Sequence, residues 1–382
     1  MSVAERESLA VLARDFGSTP LGPRDLSAKD LDEVLHNLPP DLDPFVESKF
    51  IVCEKYFKRK VESLRKFQRD FLVGTPHGYR GAYLEALVQE RMEHDDEEIL
   101  HHLDGTIVNY VFTLQLRTLP RELDLGVAFA SLKNLSSINI QCAGFPNSSP
   151  GLSMDDARLL GKALSATKAL TSLAITNSRL NDDTFASLTG ALDGEVACSV
   201  VNLDLGHNKL SHHSMTLLVD KFIKAEISVL ASLCVRDNFL GAKGGCILGS
   251  TLSGNHTLKS LDIRSSQLGD EGSQAILQGL QLNSSLHHLC VAGNRAGELS
   301  SRALCEVFNR AESQLISVDF STNKLCKQDI VKISSSLTSI LDKKGTKCLK
   351  MLDLRGNPGI GLADAAMEVI ASSLEKSQNV FI

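Results

Sequence analysis

The chain of 382 residues contains no tryptophan, only four tyrosines and an aromatic content of 5%. The chain is thus poor in large aromatic rings, with 15 phenylalanines supplying most of them, and aliphatic side chains carry most of the packing. Charge of one sign is not in excess: 40 Lys and Arg stand against 46 Asp and Glu, a formal net charge of −6. Overall charge thus gives no reason to expect a nucleic-acid partner. No apolar run approaches the ~18 residues needed to span a bilayer, and the first residues, MSVAERESLAVLARDFG, hold no hydrophobic stretch of a secretory signal. The nine cysteines are odd in number and none forms a C-x-x-C pair. Together these features predict a reducing cytoplasmic setting with free thiols. In that setting the N-x-[ST] matches at Asn134, Asn147, Asn255 and Asn283 carry no meaning.

Against this background one pattern repeats. VVNLDLGHNKL (200–210) returns as LASLCVRDNFL (230–240), LHHLCVAGNRA (286–296), LISVDFSTNKL (315–325) and LKMLDLRGNPG (349–359). The common template is L-x-x-L-x-L-x-x-N-x-L, the leucine-rich-repeat signature. Its first position falls at Leu135, Leu170, Val200, Leu230, Leu258, Leu286, Leu315 and Leu349, in steps of 35, 30, 30, 28, 28, 29 and 34 residues. VFTLQL (111–116) reads as an earlier, degenerate copy.

Each copy predicts a short strand, a bend, a helix and a return loop. In the 200–210 copy, Leu203 and Leu205 point inward by strand alternation. The helices are read at SMDDARLLGKALSA, NDDTFASLTGAL, SHHSMTLLVDKFIKA, KGGCILGSTLS, GDEGSQAILQGLQLN, SSRALCEVFNRA, KQDIVKISSSLTSIL and LADAAMEVIASSL. In the segment 269–283 the inward groups are expected to be Ala275, Leu277, Leu280 and Leu282, and Asp270 and Glu271 fall near the positive end of the helix dipole.

The recurrent asparagine has a structural reading. Where the strand stops, backbone N–H and C=O groups face the interior without ladder partners, and each one left unpaired costs about 1–3 kcal/mol. A carboxamide donates and accepts at once. Asn208, Asn238, Asn294, Asn323 and Asn357 are assigned this role, Ser178 and Ser266 a partial one, and Ala143 none, so the first repeat is expected to be irregular there.

The expected fold is an α/β leucine-rich-repeat solenoid, a horseshoe with the sheet on its concave side, because helices need about 10 Å of spacing and strands only about 4.8 Å. The period of 28–30 residues and the full helices resemble the ribonuclease-inhibitor class of these repeats. The N-terminal 110 residues carry no repeat and are read as a helical cap, with residues 111–382 as the repeat domain of about eight repeats. Leu31, Val34, Leu35 and Leu38 mark a first helix that Pro39-Pro40 ends. Phe57, Val61, Leu64, Phe67 and Phe71 form the stripe of a second, surrounded by the basic residues Lys58, Arg59, Lys60, Arg65, Lys66 and Arg69. Further helices are read at YRGAYLEALVQERME and DEEILHHL. Val380, Phe381 and Ile382 read as the start of a last strand or as a surface that a partner covers.

No catalytic constellation is visible. The adjacent pairs His101-His102, His212-His213 and His287-His288 have no cysteine or carboxylate at zinc spacing. GAKGGCILGS (241–250) and GNPGIGLAD (356–364) match neither phosphate-binding glycine motif and are read as repeat loops. Cys234 and Cys290 fall on strands, Cys246 and Cys305 on helices, and all are read as packing or surface groups. No cofactor, metal, small-molecule ligand, nucleic acid or membrane is expected. What remains is surface. The predicted concave face carries Asp204, His207, Arg236, Asp237, Asp262, Arg264, His287, Asp319, Asp353 and Arg355, a mixed-charge set suited to protein recognition. The basic 58–69 helix is either a solvated face or a contact for an acidic partner such as tubulin or a coiled coil.

The order EKYFKR (54–59), YRGAYLE (79–85) and NYVFTLQLRTLP (109–120), leading into the repeats, resembles the leucine-rich-repeat subunit of the nexin–dynein regulatory complex of motile cilia. The matching residues are Tyr56, Phe57, Lys58, Arg59, Tyr79, Arg80, Tyr83, Leu84, Glu85, Tyr110, Val111, Leu114 and Leu116; the family often has Trp where this chain has Phe57 and Tyr79. The resemblance implies a non-catalytic scaffold in the cytoskeleton of the ciliary axoneme, with other complex subunits, coiled coils, tubulin or dynein as partners. Two rivals stand beside it. A GTPase regulator of the Ran-activating type has similar repeats but a strongly acidic end, which SLEKSQNVFI lacks. A soluble leucine-rich-repeat inhibitor or sensor would instead hold a small soluble target.

Overall fold

Leucines spaced three and then two residues apart drive the local structure. In each repeat the fourth template position is the buried middle of a three- or four-residue strand, flanked by residues that stay at least partly exposed. A computed structural model of the chain describes residues 57–58, 60–61, 78–95, 99–103, 107–120, 122–142, 151–224, 227–310, 313–342 and 349–375. The predicted helix at 31–38, the stripe positions Leu64, Phe67 and Phe71, residue Ala143 and the C-terminal Val380–Ile382 lie outside them.

The strands are β1 (Thr113–Leu116), β2 (Ser137–Ile140), β3 (Ser172–Ile175), β4 (Asn202–Asp204), β5 (Ser232–Cys234), β6 (Ser260–Asp262), β7 (His288–Cys290), β8 (Ser317–Asp319) and β9 (Met351–Asp353). They form one sheet in chain order. Pairing from β2 to β9 is parallel and in register, so Leu173, Leu203, Leu233, Leu261, Leu289, Val318 and Leu352 form one buried row. The fold is the leucine-rich-repeat α/β solenoid that the template implies. Strict sequential order is what a chain of similar strand–helix units must give when each packs only on its neighbours.

Two units divide the chain: residues 1–114 with 120–135, and residues 115–119 with 136–382. The first holds α1 (Gly78–Glu93), α2 (Ile99–His102) and α3 (Leu125–Ser131). Asp124 caps α3, accepting from the N–H groups of Gly126 and Val127 at 2.9 and 3.1 Å. The second unit holds the repeats, with α4 (Met154–Ser165), α5 (Asp182–Ala191), α6 (Gly194–Ser199), α7 (His212–Leu218), α8 (Gly241–Leu252), α9 (Gly269–Leu280), α10 (Glu298–Phe308), α11 (Lys327–Asp342) and α12 (Asp364–Glu375). A π-helical turn, Val219–Ile223, extends α7.

Two expectations for the helices need correction. Leu282 is 70% exposed and Ala275 only half-buried, while Ile276 is fully buried. Helix α9 ends at Leu280, so the 3.6-residue period no longer governs position 282. The 241–250 segment lies in helix α8, as the helix read at KGGCILGSTLS implies, and not in a repeat loop. Its glycines lower intrinsic helix propensity, but they allow a close approach to α9. A Cβ at Gly249 would lie 2.2 Å from the carbonyl oxygen of Ala275, and one at Gly279 would lie 2.1 Å from that of Gly249. Gly249→Val is therefore expected to destabilise the chain by about 1–3 kcal/mol through overpacking. Gly254→Ala, at a position with open space around it, should change little. Paired thermal melts followed by circular dichroism check this contrast.

Candidate functional site

The bends after the strands are held by amides. Asn294, fully buried, accepts from the N–H groups of Ser266 and Leu268 at 2.9 and 3.2 Å. Its Nδ2 donates to the carbonyls of Ile263, Val291 and Ala292 at 2.8, 3.1 and 3.2 Å. One side chain thus ties its own bend to the preceding one. Asn208 does the same with Ser178 and Leu180 as donors and Ile175 and Leu205 as acceptors. Asn323 takes the N–H groups of Asn294 and Ala296. Asn238 accepts from Leu210 N–H, and Asn357 from Leu325 N–H. At Ser178 and Ser266 the hydroxyl reaches the preceding repeat's carbonyl, Ile140 at 3.4 Å and Val235 at 3.0 Å, and the donor side is partly lost. The residue just before each amide takes a left-handed backbone, with φ of 56° at His207, 53° at Asp237, 67° at Gly293 and 52° at Thr322.

The sheet face away from the helices presents the second, third, fifth, seventh and eighth template positions. At the fifth position, neighbours in register are Asp204, Cys234, Asp262, Cys290, Asp319 and Asp353. These carboxylates are not simply solvated. The Oδ1 atoms of Asp204, Asp262, Asp319 and Asp353 accept from the N–H two residues on, in Gly206, Arg264, Ser321 and Arg355, at 2.8, 3.0, 3.1 and 3.0 Å. In the first three that N–H falls between two bonds to the next repeat, as Gly206 does between those of Leu205 and His207, so a short acceptor at the fifth position closes the turn. Cysteine occupies the same slot. Burial pushes the Cys234 and Cys290 thiols up to about 12, against the N–H groups of Arg236 and Ala292 that face them. Sequence reasoning placed these cysteines on strands but gave no sign that they replace aspartate.

Arg264 lies across the next two strands, its Nε and Nη2 both 3.3 Å from Cys290 Sγ and Nη2 3.4 Å from Asp319 Oδ2. Arg355 folds onto Asp353, with Nε 3.0 Å from Oδ1. His207 Nδ1 stands 3.4 Å from Asp237 Oδ2. Arg236 is half-buried beside Gly206, and the His287 ring faces the Ser285 carbonyl at 2.7 Å. The ten residues named on this face therefore do share it, but the aspartates at the fifth position are engaged by their own backbone. Of the basic set 58–69, Lys58 and Lys60 are described; Arg59, Arg65, Lys66 and Arg69 lie outside the described residues. Lys58 Nζ sits 5.7 Å from the centre of the Tyr79 ring.

Several of the residues that carry the resemblance meet in the first unit; Tyr56 and Arg59 lie outside the described residues. The rings of Phe57 and Tyr83 are 5.8 Å apart, and the Arg80 guanidinium is 5.1 Å from the Tyr110 ring. Glu85, 3% exposed, accepts from the N–H groups of Phe112 and Thr113 at 2.7 and 3.0 Å, fixing the entry to β1. Burial pushes its carboxyl up, opposed by those two donors.

A second carboxylate ladder runs along the helix starts. Asp270 of α9 accepts from the N–H groups of Gly297, Leu299 and Ser300 at the start of α10, and from the Ser300 hydroxyl. Asp182 of α5 serves Ser211 and Ser214 beside α7 in the same way. Asp329 of α11 takes the Ser301 hydroxyl of α10 at 2.7 Å. For each, burial raises the carboxyl, but the donors outweigh it and hold it below the ordinary value. Among the described residues no group of three or more His, Cys, Asp or Glu could hold a metal ion, and no helix is long and apolar enough to cross a membrane.

Two outcomes follow. Asn294→Ala strands two buried N–H groups and three carbonyl contacts, so a loss of at least about 3 kcal/mol is expected in denaturant unfolding. The depressed aspartates stabilise the fold above the unfolded carboxylate value of about 3.9, and that contribution disappears as pH falls through their lower folded values. Asp270→Asn should lower the melting temperature at pH 7 and flatten its decline between pH 5 and pH 2, as read by thermal melts across that range.

Comparison with known proteins gives one curated relative of note. Dynein regulatory complex subunit 5 of Chlamydomonas reinhardtii is 27% identical over 186 residues, covering 45% of this chain and 47% of the relative. The chain therefore matches about half the length of that relative. No protein-family model matches. Among solved structures, the leucine-rich-repeat protein LegL7 of Legionella pneumophila is 17% identical with a TM-score of 0.42, covering 75% of this chain and 87% of that one. Rad7, in its yeast complex with Elc1, aligns at 16% identity and a TM-score of 0.39, covering 79% and 90%. Likenesses at that level add nothing to what the parallel sheet already establishes. By its sheet the chain is a leucine-rich-repeat protein, and by its sequence it resembles the leucine-rich-repeat subunit of the nexin–dynein regulatory complex.

Proposed function

We propose that the chain is a non-catalytic protein scaffold, a structural and regulatory subunit of the ciliary nexin–dynein regulatory complex. The observation that carries this reading is the 27% identity to dynein regulatory complex subunit 5 over 186 residues. The geometry agrees with it. Eight strands in unbroken register, tied bend to bend by buried amides, give a stiff surface that loses little entropy when a partner docks. The mixed charge of the side chains on that surface is suited to holding another protein.

In this reading residues 1–110 form a helical N-terminal region and residues 111–382 form the repeat domain. The scaffold works mechanically. It holds coiled-coil or dynein-associated neighbours in fixed geometry on the axoneme, and so ties dynein activity to the adjacent doublet. Its partners are other proteins, with no cofactor in the work.

A tagged copy expressed in a ciliated cell tests the assignment. The expected result is a signal along the axoneme that survives detergent extraction and co-sediments with dynein regulatory complex subunits. A diffuse signal that washes out with detergent would remove the axonemal role.

A further inference from the structure

The exposed sheet face looks balanced on paper. Between β6 and β9 it carries Lys259, Arg264, Lys350 and Arg355 against Asp262, Asp319 and Asp353. The two signs are not equally available. The Asp319 and Asp353 side chains are 19% and 14% exposed, and their oxygens already hold backbone N–H groups and arginine. The Arg264 and Arg355 side chains are 45% and 76% exposed, and Lys259 and Lys350 are exposed as well. What stands out toward solvent is cationic, in two ridges: Lys259 and Arg264 on β6, Lys350 and Arg355 on β9.

The floor between the ridges is low. On β7 and β8 the seventh and eighth positions are Ala292, Gly293, Ser321 and Thr322. From β2 to β9 this face holds no phenylalanine, tyrosine or tryptophan. The ring anchors that dominate most protein interfaces are absent, so recognition here must be polar. The backbone of the sheet spends its N–H and C=O groups on its own parallel ladder. An extended segment laid on it would bury peptide groups with nothing to pair with, whereas a helix satisfies its own.

We infer that the β6–β9 face docks an acidic α-helix of a partner protein across the Ala292–Ser321 floor, with carboxylates meeting Arg264 on one side and Arg355 on the other. Three strand steps separate the two arginines, on the order of 14 Å. At 1.5 Å and 100° per residue, two carboxylates on one face of the helix that bridge this span stand about eleven residues apart, roughly 16 Å along its axis. Guanidinium suits this task better than ammonium, because its fork of donors can hold aspartate on the sheet and a second carboxylate above it. The inference rests on the scaffold reading and names the chemistry of one partner.

The test uses the full chain and a soluble 21-residue helical peptide with glutamates eleven residues apart on one face, in three versions: glutamate, glutamine and lysine at those two places. Fluorescence anisotropy should show saturable binding of the glutamate peptide that weakens with salt. Binding should fall at least tenfold for the glutamine peptide, and at least tenfold for Arg264→Gln/Arg355→Gln. Lys162→Gln/Lys243→Gln, which removes two exposed cations on the helix side, should leave it unchanged. The lysine peptide should prefer Arg264→Glu/Arg355→Glu over the natural chain. Circular dichroism melts confirm that each variant folds. Absence of binding, equal binding by the arginine variants, or tighter competition by single-stranded RNA of equal charge would overturn the inference. None of these outcomes bears on whether the chain sits on the axoneme, so the two readings fail separately.

Discussion

A parallel strand of three residues leaves its last peptide groups buried and unpaired, and the whole repeat array depends on how those groups are satisfied. Each Asn amide accepts from the repeat before it and donates to the strand ends of both. No water is needed, and no repeat closes alone. The same amide fixes the register of neighbouring strands, because its reach is only one strand spacing. The buried leucine row follows from that register, and the packing of helices follows from the leucine row.

Carboxylates repeat the device at two other places. At the helix starts, Asp182 and Asp270 lend their oxygens to the start of the helix in the following repeat, satisfying N–H groups that no helix can pair for itself. On the exposed sheet face, Asp262 and Asp353 satisfy the N–H just past the strand. Amide, helix-start carboxylate and sheet-face carboxylate are three answers to the same requirement at three corners of one repeat. Between repeats the contacts are correspondingly polar at the corners and aliphatic in the middle.

Much of this was legible in the sequence. The leucine period predicted the strands, because only a chain that returns to the same point every 28–30 residues can stack parallel strands in order. The limits are as physical as the successes. Helix ends do not obey the helical period, so Leu282 was misplaced. Glycines in 241–250 allow both a helix at KGGCILGSTLS and a loop, because sequence propensity does not see the neighbouring helix that rewards their missing side chains. Asp270 read as a dipole partner of its own helix, while its hydrogen bonds go to the next one, 27 to 30 residues away. Asp319 and Arg264 were placed on one face by the template, but which of them reaches solvent depends on backbone hydrogen bonds that no spacing rule contains.

The slot shared by aspartate and cysteine on the exposed face has a consequence for how such a surface changes over time. Either side chain closes the turn, yet one is anionic and the other, with its thiol pushed up to about 12, is neutral. Exchanging them edits the electrostatic pattern that a partner meets while leaving the corner of the repeat intact. The array can therefore alter its binding preference strand by strand, with folding insulated from the change.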